Sequence, residues 1–244
     1  MGDVWRTAAD RRRLRVHDPP AVGVHLPRHA GQRSEAVIAG LLRLVTGAQA
    51  RWKGSDPVRP DGVIPQRIFF ANHTSNLDAP VIWAALPTPV RRMTRPVAAK
   101  DYWEAGPIRR KIARDVFRAV LIERKKVTRE NNPLRIMEEA MESGDSLIIF
   151  PEGTRATDDD ATVGEFKPGL WHLAKKRPDV ELVPVYLENL NRILPKGDFI
   201  LVPLLAAVTF GTPIRPNEGE DKPTFLARAR ESVATLRRRA EDGK

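Results

Sequence analysis

The sequence predicts one α/β domain, in which a mostly parallel, mixed sheet is flanked by helices and is preceded by a basic arm and an amphipathic helix. Three observations predict this fold class. Short apolar runs alternate with stretches of helical periodicity from residue 67 to residue 240, the pattern of a sheet built from β-α units. The runs are apolar enough to be covered on both faces. The length of 244 residues suits one domain with appendages.

The elements of this domain follow one another in chain order. Apolar runs predict strands over residues 67–72, 96–100, 119–124, 146–150, 182–187 and 199–211. Helical periodicity predicts helices over residues 76–86, 101–116, 133–143, 168–176 and 223–240. Open α/β sheets carry their chemistry at the carboxyl ends of strands, so we expect the functional residues in the loops that follow these strands.

Two segments precede the domain, which we place at residues 67–244. Residues 1–33 hold seven Arg against three Asp and contain three prolines, which predicts an irregular basic arm. Residues 34–53 predict an amphipathic helix, and a linker rich in proline and glycine follows it up to residue 66. The apolar face of the predicted helix comprises Val37, Leu41, Leu44, Ala48 and Trp52.

The composition excludes several classes of protein. With 41% hydrophobic and 30% charged residues, the chain is neither disordered throughout nor a polytopic membrane protein. It contains no cysteine, which excludes disulfides, zinc fingers and thiolate nucleophiles. We expect no transmembrane helix, because no uncharged run reaches about 20 residues. We expect no signal peptide either, and therefore a cytoplasmic location.

The net charge of +10 predicts an anionic partner, which could be nucleic acid, acidic lipid headgroups or an acidic carrier protein. Basic residues concentrate between Arg109 and Arg129, where they could gather phosphates or form a solvated helix face. Nucleic acid is disfavoured, because the aromatic residues make up 6% of the chain and mostly lie in the apolar runs rather than among the cations.

The first strand of the domain ends in a loop that carries His73 and, five residues later, Asp78. This spacing is common by chance, but here it spans a turn from strand to helix, where Asp78 could fold back onto the imidazole. An imidazole held by a carboxylate is suited to general-base catalysis. The alternative is that Thr74, Ser75 and Asn76 cap the helix while His73 only hydrogen-bonds the loop. The chain contains no Gly-x-Ser-x-Gly motif, so a substrate would have to supply the nucleophile.

A second loop follows the strand at 146–150 and contains Glu152, Gly153 and Arg155. The Arg155 guanidinium can hold a phosphate or a carboxylate with two hydrogen bonds. Gly153 allows a ligand to approach the backbone closely.

Taken together, the sequences NHTSNLD at 72–78 and FPEGTR at 150–155 resemble the motifs of the glycerolipid acyltransferase family, most closely the bacterial 1-acylglycerol-3-phosphate acyltransferases. Residues 119–124 resemble the middle motif of that family, residues 166–169 the segment after the Glu-Gly motif, and residues 182–186 the fourth motif. The resemblance covers about residues 67–214.

The resemblance implies an enzyme that moves a fatty acyl group from acyl-CoA or an acyl carrier protein to the free hydroxyl of 1-acylglycerol 3-phosphate, which forms phosphatidate. By position, it implies that His73 is the base and that Asp78 orients it. It also implies that Asn72 and Ser75 support this loop, and that the acceptor and its phosphate are bound by Arg124, Glu152, Gly153, Thr154 and Arg155. No metal, no cofactor and no covalent acyl-enzyme are implied.

One departure from the family is Arg118, which stands where the middle motif usually begins with glycine. A long cation there is expected to change the shape of the acceptor pocket. Alternative acceptors are glycerol 3-phosphate or another lysolipid. The alternative from another class is a non-catalytic module that binds anionic lipid, against which the presence of His73, Asp78 and Glu152 together argues.

A lipid substrate and a basic arm together predict peripheral binding to the cytoplasmic face of an anionic membrane, through the arm and the helix at 34–53. The apolar face of this helix could equally pack on the α/β core.

Overall fold

Seven strands form one mixed sheet in the computed structural model, which describes residues 32–124, 127–155, 163–188 and 207–241. The strands are β1 (Gln49–Trp52), β2 (Arg67–Ala71), β3 (Thr94–Ala99), β4 (Val120–Ile122), β5 (Ser146–Ile149), β6 (Glu181–Glu188) and β7 (Ala207–Phe210). Their order across the sheet is β1-β7-β6-β2-β5-β3-β4.

Every neighbouring pair of strands is parallel except β6 and β7, which are antiparallel. Phe69 at the centre of β2 pairs with Ile148 of β5 on one side and with Val183 of β6 on the other. The strands β2, β5, β3 and β4 therefore end at one edge of the sheet. The mostly parallel, mixed sheet that the sequence predicts is confirmed.

The described helices are α1 (Gln32–Thr46), α2 (Asp78–Ala85), α3 (Thr88–Arg92), α4 (Lys100–Trp103), α5 (Pro107–Lys111), α6 (Pro133–Glu142), α7 (Gly169–Lys176) and α8 (Lys222–Glu241). A π-helical turn, Ile112–Val116, continues α5. The single helix predicted over 101–116 is wrong. Gly106 has an extended backbone (φ −171°) and Pro107 starts α5, so the chain breaks before a residue that is tolerated only in the first turn of a helix.

Helices cover both faces of the sheet. Successive side chains along each strand point to opposite faces, so both faces carry apolar side chains for the helices to bury. Phe69 points to the face that is covered by α1, α2 and the π-helical turn. Ile68 and Phe70 point to the opposite face, which is covered by α6, α7 and α8. All three are fully buried. The apolar character of residues 67–72 follows from this two-sided burial.

The N-terminal helix is shorter than predicted. It ends at Thr46 rather than at residue 53, and Gly47 follows with a φ of +58°, a conformation that ends helices and favours glycine. Residues 49–52 then form β1, which the sequence did not predict. Trp52 stacks on Phe210 of the sheet with ring centroids 4.1 Å apart. Ala48 and Trp52 therefore do not belong to the apolar face of the helix.

The helix α1 packs on the domain through one face only. Ala39 is buried, Glu35 accepts a hydrogen bond of 3.1 Å from the buried Arg91, and Arg43 donates to backbone carbonyls at the end of α2. The opposite face is left open to solvent. It carries three apolar side chains that are 68%, 57% and 81% exposed: Val37, Leu41 and Leu44. We call these three residues the apolar stripe.

Two of the predicted segments lie at least partly outside the described residues. The basic arm lies outside the described residues, apart from the part that α1 takes up from Gln32 onward. The strand predicted over 199–211 is seen as β7, and its part at 199–206 lies outside the described residues. Among the described helices, none has the length and apolar character needed to cross a membrane.

Candidate active site

His73 and Asp78 meet at the carboxyl end of β2. The Nδ1 atom of His73 lies 2.8 Å from Oδ2 of Asp78, which is the first residue of α2 and is fully buried. A carboxylate can only accept hydrogen bonds, so Nδ1 carries the proton of this pair. In the neutral imidazole, the other ring nitrogen, Nε2, then keeps the lone pair that can accept a proton.

The carboxylate of Asp78 is held by the loop it closes. Its Oδ2 also accepts hydrogen bonds from the backbone N–H groups of Thr74 at 2.6 Å and Ser75 at 2.9 Å. A negative charge is favoured here, at the amino end of α2. The hydroxyl of Ser75 accepts from the N–H of Leu77 at 3.2 Å. The loop therefore fixes the imidazole where the helix begins. The prediction that Thr74, Ser75 and Asn76 cap the helix is wrong, because Leu77 is the N-cap residue and no side chain caps it.

Phe150 fixes the plane of the His73 ring. It follows β5, the neighbour of β2, and its ring stacks on the imidazole with centroids 4.3 Å apart and planes 22° from parallel. The side chain of His73 is 21% exposed. The imidazole is thus held on one edge by Asp78 and on one face by Phe150, while part of it remains open.

Glu152 contacts the backbone of the loop at residues 72–78, which we call the catalytic loop because it carries the candidate base. It is 8% exposed, and its Oε1 accepts a hydrogen bond of 3.1 Å from the backbone N–H of His73. Burial raises the pKa of Glu152, and backbone hydrogen bonds from His73 and Gly164 partly offset this. Glu152 lines neither cavity beside His73, so the structure does not bring it into the acceptor site that the resemblance implies.

Two cavities meet at His73. The first has a volume of about 200 Å³ and an apolar wall made of Val97, Ile122, Met137, Ile149, Leu170 and Leu173. The second has a volume of about 150 Å³, and its polar and aromatic lining includes Asn76, Tyr102, Trp103, Thr154 and Arg155. His73, Phe150 and Arg124 line both cavities. The imidazole of His73 therefore lies where an apolar space adjoins a polar one.

Three cations surround this junction, and we call them the cation rim: Arg124, Arg155 and Lys167. Arg124 donates from Nη2 to both carboxylate oxygens of Asp101 at 3.0 Å. Arg155 and Lys167 are exposed. Thr154 and both predicted arginines thus lie beside the cavities.

Gly153 lines the apolar cavity at its border with the cation rim. Its φ of +72° lies in the left-handed region, and a Cβ at this position would come within 2.5 Å of the Lys167 Nζ. The backbone conformation therefore favours glycine, whereas the close approach involves the flexible end of the exposed Lys167 side chain, which can move aside.

Asn72 ties the start of the loop to the neighbouring strand β6. Its side chain accepts from the N–H of Leu187 at 2.9 Å and donates to the carbonyl of the same residue at 3.2 Å. Asn72 is 4% exposed, so these bonds satisfy polar groups that water does not reach. They extend the pairing of β2 with β6 by one residue and hold the start of the loop.

Arg118 does not alter the pocket, and that expectation is wrong. It precedes β4, at the opposite edge of the sheet from His73. Its guanidinium pairs with Asp145 at 2.9 Å and donates to the carbonyl of Arg92 at 2.9 Å. It lines neither cavity. Its φ of +50° is a conformation that glycine adopts at little cost.

Four residues beside the site were missed as functional residues: Asp101, Phe150, Gly164 and Lys167. Asp101 follows the predicted strand at 96–100, so its position at the carboxyl edge of the sheet was an available signal. Phe150 and Lys167 lie within the quoted motifs, but their contacts depend on strand order. No pattern pointed to Gly164. Within the described residues, no group of three or more His, Asp and Glu is placed to hold a metal ion.

Comparison with curated proteins finds a relative of similar sequence. This 1-acyl-sn-glycerol-3-phosphate acyltransferase from Limnanthes douglasii is 30% identical over 189 residues, covering 75% of this chain and 60% of the relative. The chain therefore spans about 60% of the length of the curated relative it matches.

Comparison with solved structures finds a similar fold, and comparison with family models finds a matching family. The 1-acyl-sn-glycerophosphate acyltransferase PlsC from Thermotoga maritima has a similar fold, with a TM-score of 0.64 at 21% identity over 84% of this chain and 78% of that chain. The family model described as acyltransferase matches residues 53–188, which include both loops and both cavities. Because this match covers more than half of the chain, the chain belongs to the acyltransferase family, as its loop motifs predicted.

Proposed function

We propose that this protein is a glycerolipid O-acyltransferase that moves a fatty acyl group from a thioester donor to the free hydroxyl of 1-acylglycerol 3-phosphate and forms phosphatidate. One observation carries the proposal: an imidazole held by a buried carboxylate lies where an apolar cavity adjoins a polar, cation-lined one. The names of the Limnanthes and Thermotoga proteins state the same activity and support this choice of acceptor.

His73 performs the proton transfer in this proposal. Its Nε2 takes the proton of the acceptor hydroxyl as the hydroxyl oxygen attacks the thioester carbonyl. Asp78, bonded to Nδ1, stabilises the imidazolium that forms. When the tetrahedral intermediate collapses, the carbon–sulfur bond breaks and the thiolate takes the proton back from Nε2. The hydroxyl attacks directly, so the binding of both substrates beside His73 supplies much of the rate enhancement.

The two cavities divide the substrates by polarity. The phosphate of the acceptor binds the cation rim from the polar cavity, where Arg155 and Arg124 can each offer two hydrogen bonds to phosphate oxygens. An acyl chain enters the apolar cavity, where each buried methylene contributes about 0.8 kcal/mol. The reacting hydroxyl and carbonyl then meet at their junction, beside Nε2 of His73.

The donor, in this proposal, is either acyl-CoA or an acyl carrier protein, and both are anionic. Arg110, Lys111 and Arg114 line an open groove on α5 and the π-helical turn, where they can attract phosphates or acidic side chains.

A donor and acceptor panel tests the proposal as a whole. The purified protein is incubated with acyl-CoA or acyl carrier protein, and with 1-acylglycerol 3-phosphate, glycerol 3-phosphate or another lysolipid, and the products are identified by mass. The proposal predicts phosphatidate as the main product. Acylated glycerol 3-phosphate as the main product would replace the acceptor, and binding of lipid without any acylated product would support a non-catalytic lipid-binding module.

The protein also binds the surface of anionic membranes in this proposal, through the apolar stripe on α1. The exposure of these three side chains supports it, because most amphipathic helices bury such a face. The helix α1 lies against the π-helical turn. Ile108 on the adjoining α5 is 74% exposed beside Arg109 and Arg110. Apolar burial and attraction to acidic headgroups would act together on this side of the molecule.

Point variants test the membrane proposal, because deleting residues 1–53 would also remove strand β1. We expect replacement of Val37, Leu41 and Leu44 by Gln to lower sedimentation with acidic vesicles about 10-fold or more. Each replacement removes an apolar side chain whose full burial in the membrane would contribute about 1.5–3 kcal/mol to binding. Val63→Gln is the matched control, because Val63 is apolar and 45% exposed but lies outside the stripe. Unchanged sedimentation of the triple variant would place the membrane contact elsewhere.

A further inference from the structure

We infer that Glu152 and Gly164 are positioning residues for the base: together they hold the backbone of His73, and neither contacts the acceptor. This inference rests on the proposed function, because it assigns them their effect through His73.

The carboxylate of Glu152 joins two backbone segments. Its Oε1 accepts from the N–H of His73 at 3.1 Å, and Gly164 packs against its Oε2, where the backbone of Gly164 lowers the pKa of Glu152. At 8% exposure, little water is available to solvate the carboxylate, so its charge depends on the backbone groups beside it. The raised pKa of Glu152 agrees with that dependence.

Gly164 is required by the close approach of Glu152. A Cβ at position 164 would lie 2.8 Å from Oε2 of Glu152 and 3.3 Å from its Cδ, closer than a side chain and a carboxylate can pack. The φ of Gly164 lies outside the left-handed region, so the backbone conformation alone would accept other residues. The carboxylate is the reason for glycine at this position.

The bridge completes the fixation of the catalytic loop. Three consecutive backbone N–H groups are held by buried carboxylates, that of His73 by Glu152 and those of Thr74 and Ser75 by Asp78. Asp78 also holds the imidazole. Asp78 therefore sets the ring and the later part of the loop, while Glu152 sets the main chain from which the ring projects.

Two variants and a matched control test the inference. Glu152→Gln keeps the size of the side chain but removes its charge and one of its two acceptor oxygens, and Gly164→Ala displaces the carboxylate. We expect each to lower kcat about 10- to 100-fold, as misplacement of a catalytic group by about 1 Å does, with the KM for the acceptor within about 3-fold of wild type. Gly40→Ala is the control, because a Cβ there meets no atom within 4 Å and Gly40 lines neither the two cavities nor the groove on α5.

Because both residues belong to one bridge, the double variant Glu152→Gln/Gly164→Ala should be no slower than the slower single variant. Rates are compared per folded protein, with folding checked by circular dichroism and the melting temperature.

Three outcomes would overturn the inference. A raised acceptor KM at unchanged kcat would mean that Glu152 contacts the acceptor. Wild-type kcat in Glu152→Gln would mean that the bridge does not position the base. Losses that follow the folded fraction alone would make the role merely structural. Failure of the proposed function is a separate result, because it shows as near-native turnover in His73→Ala. If His73→Ala is inactive while the Glu152 and Gly164 variants are fully active, only the positioning role is overturned.

Discussion

The catalytic loop and the cation rim face each other across the same junction, but they are built differently. In the catalytic loop, Asp78 is fully buried and its Oδ2 accepts three hydrogen bonds. In the rim, Arg155 and Lys167 are exposed, and the ion pair of Arg124 with Asp101 is open to solvent, with side chains 46% and 37% exposed. One side of the site is therefore ordered before any substrate arrives, whereas a ligand can still order the other.

This difference separates the tasks of the two regions. A base must be held within a narrow range of positions, and buried carboxylates with satisfied hydrogen bonds supply that precision. Cations that bind a phosphate need reach rather than rigidity, and leaving them in water avoids the cost of burying charge. Changes in the catalytic loop should therefore affect turnover and stability, and changes in the rim should affect acceptor binding alone.

The largest effect is expected for the base itself. We expect His73→Ala to lower kcat about 100- to 10,000-fold, the usual contribution of a general base, and to leave the fold intact because the imidazole is partly open to solvent. Turnover with 1-acylglycerol 3-phosphate and the far-UV circular dichroism spectrum check this. Near-native turnover would mean that His73 is not the base.

A smaller and different effect is expected in the cation rim. Replacing Arg155 or Arg124 by Ala should weaken use of the acceptor about 10- to 150-fold, which corresponds to the 1.5–3 kcal/mol of a charge-assisted hydrogen bond. The loss should appear in the acceptor KM, while the donor KM changes little. We expect the larger loss for Arg155, because Arg124 must first exchange Asp101 for the phosphate.

A phosphate-free acceptor provides the control for the rim. If Arg155→Ala lost as much activity with that acceptor as with 1-acylglycerol 3-phosphate, the arginine would serve the structure of the site rather than bind phosphate.

The smallest effect, on stability, should still separate the two regions. Asn72→Ala leaves the buried N–H and carbonyl of Leu187 without side-chain partners, and we expect a loss of about 1–3 kcal/mol in the free energy of unfolding. Thr154→Ala, in an exposed position beside the rim, should stay within about 0.5 kcal/mol of wild type. Denaturant unfolding measures both. Equal losses in the free energy of unfolding would mean that the buried hydrogen bonds of the loop do not stabilise the fold more than the exposed residues of the rim do.

The sequence predicts the centre of this fold better than its margins. Buried parallel strands such as β2 and β5 leave continuous apolar runs, and that signal is strong. The edge strand β1 is mostly exposed and carries no such run, so it was missed. The break at Gly106 was missed because the periodicity on both sides of it is helical.

The candidate site shows the same division. The approach of Asp78 to His73 could be predicted, because both lie in one turn from strand to helix. The contacts of His73 with Phe150 and Glu152 could not, because they require β5 to lie next to β2, and apolar runs do not specify strand order. The placement of Arg118 at the opposite edge of the sheet could have been predicted from its position before a strand rather than after one.

Whether His73 and Asp78 act as one base is measured most directly by the turnover of His73→Ala/Asp78→Asn beside the two single variants. If the imidazole and the carboxylate act as one base, Asp78→Asn lowers kcat at the same step, and the double variant is no slower than His73→Ala alone. Multiplication of the two separate losses in the double variant would contradict the account, because Asp78 would then contribute to catalysis independently of His73.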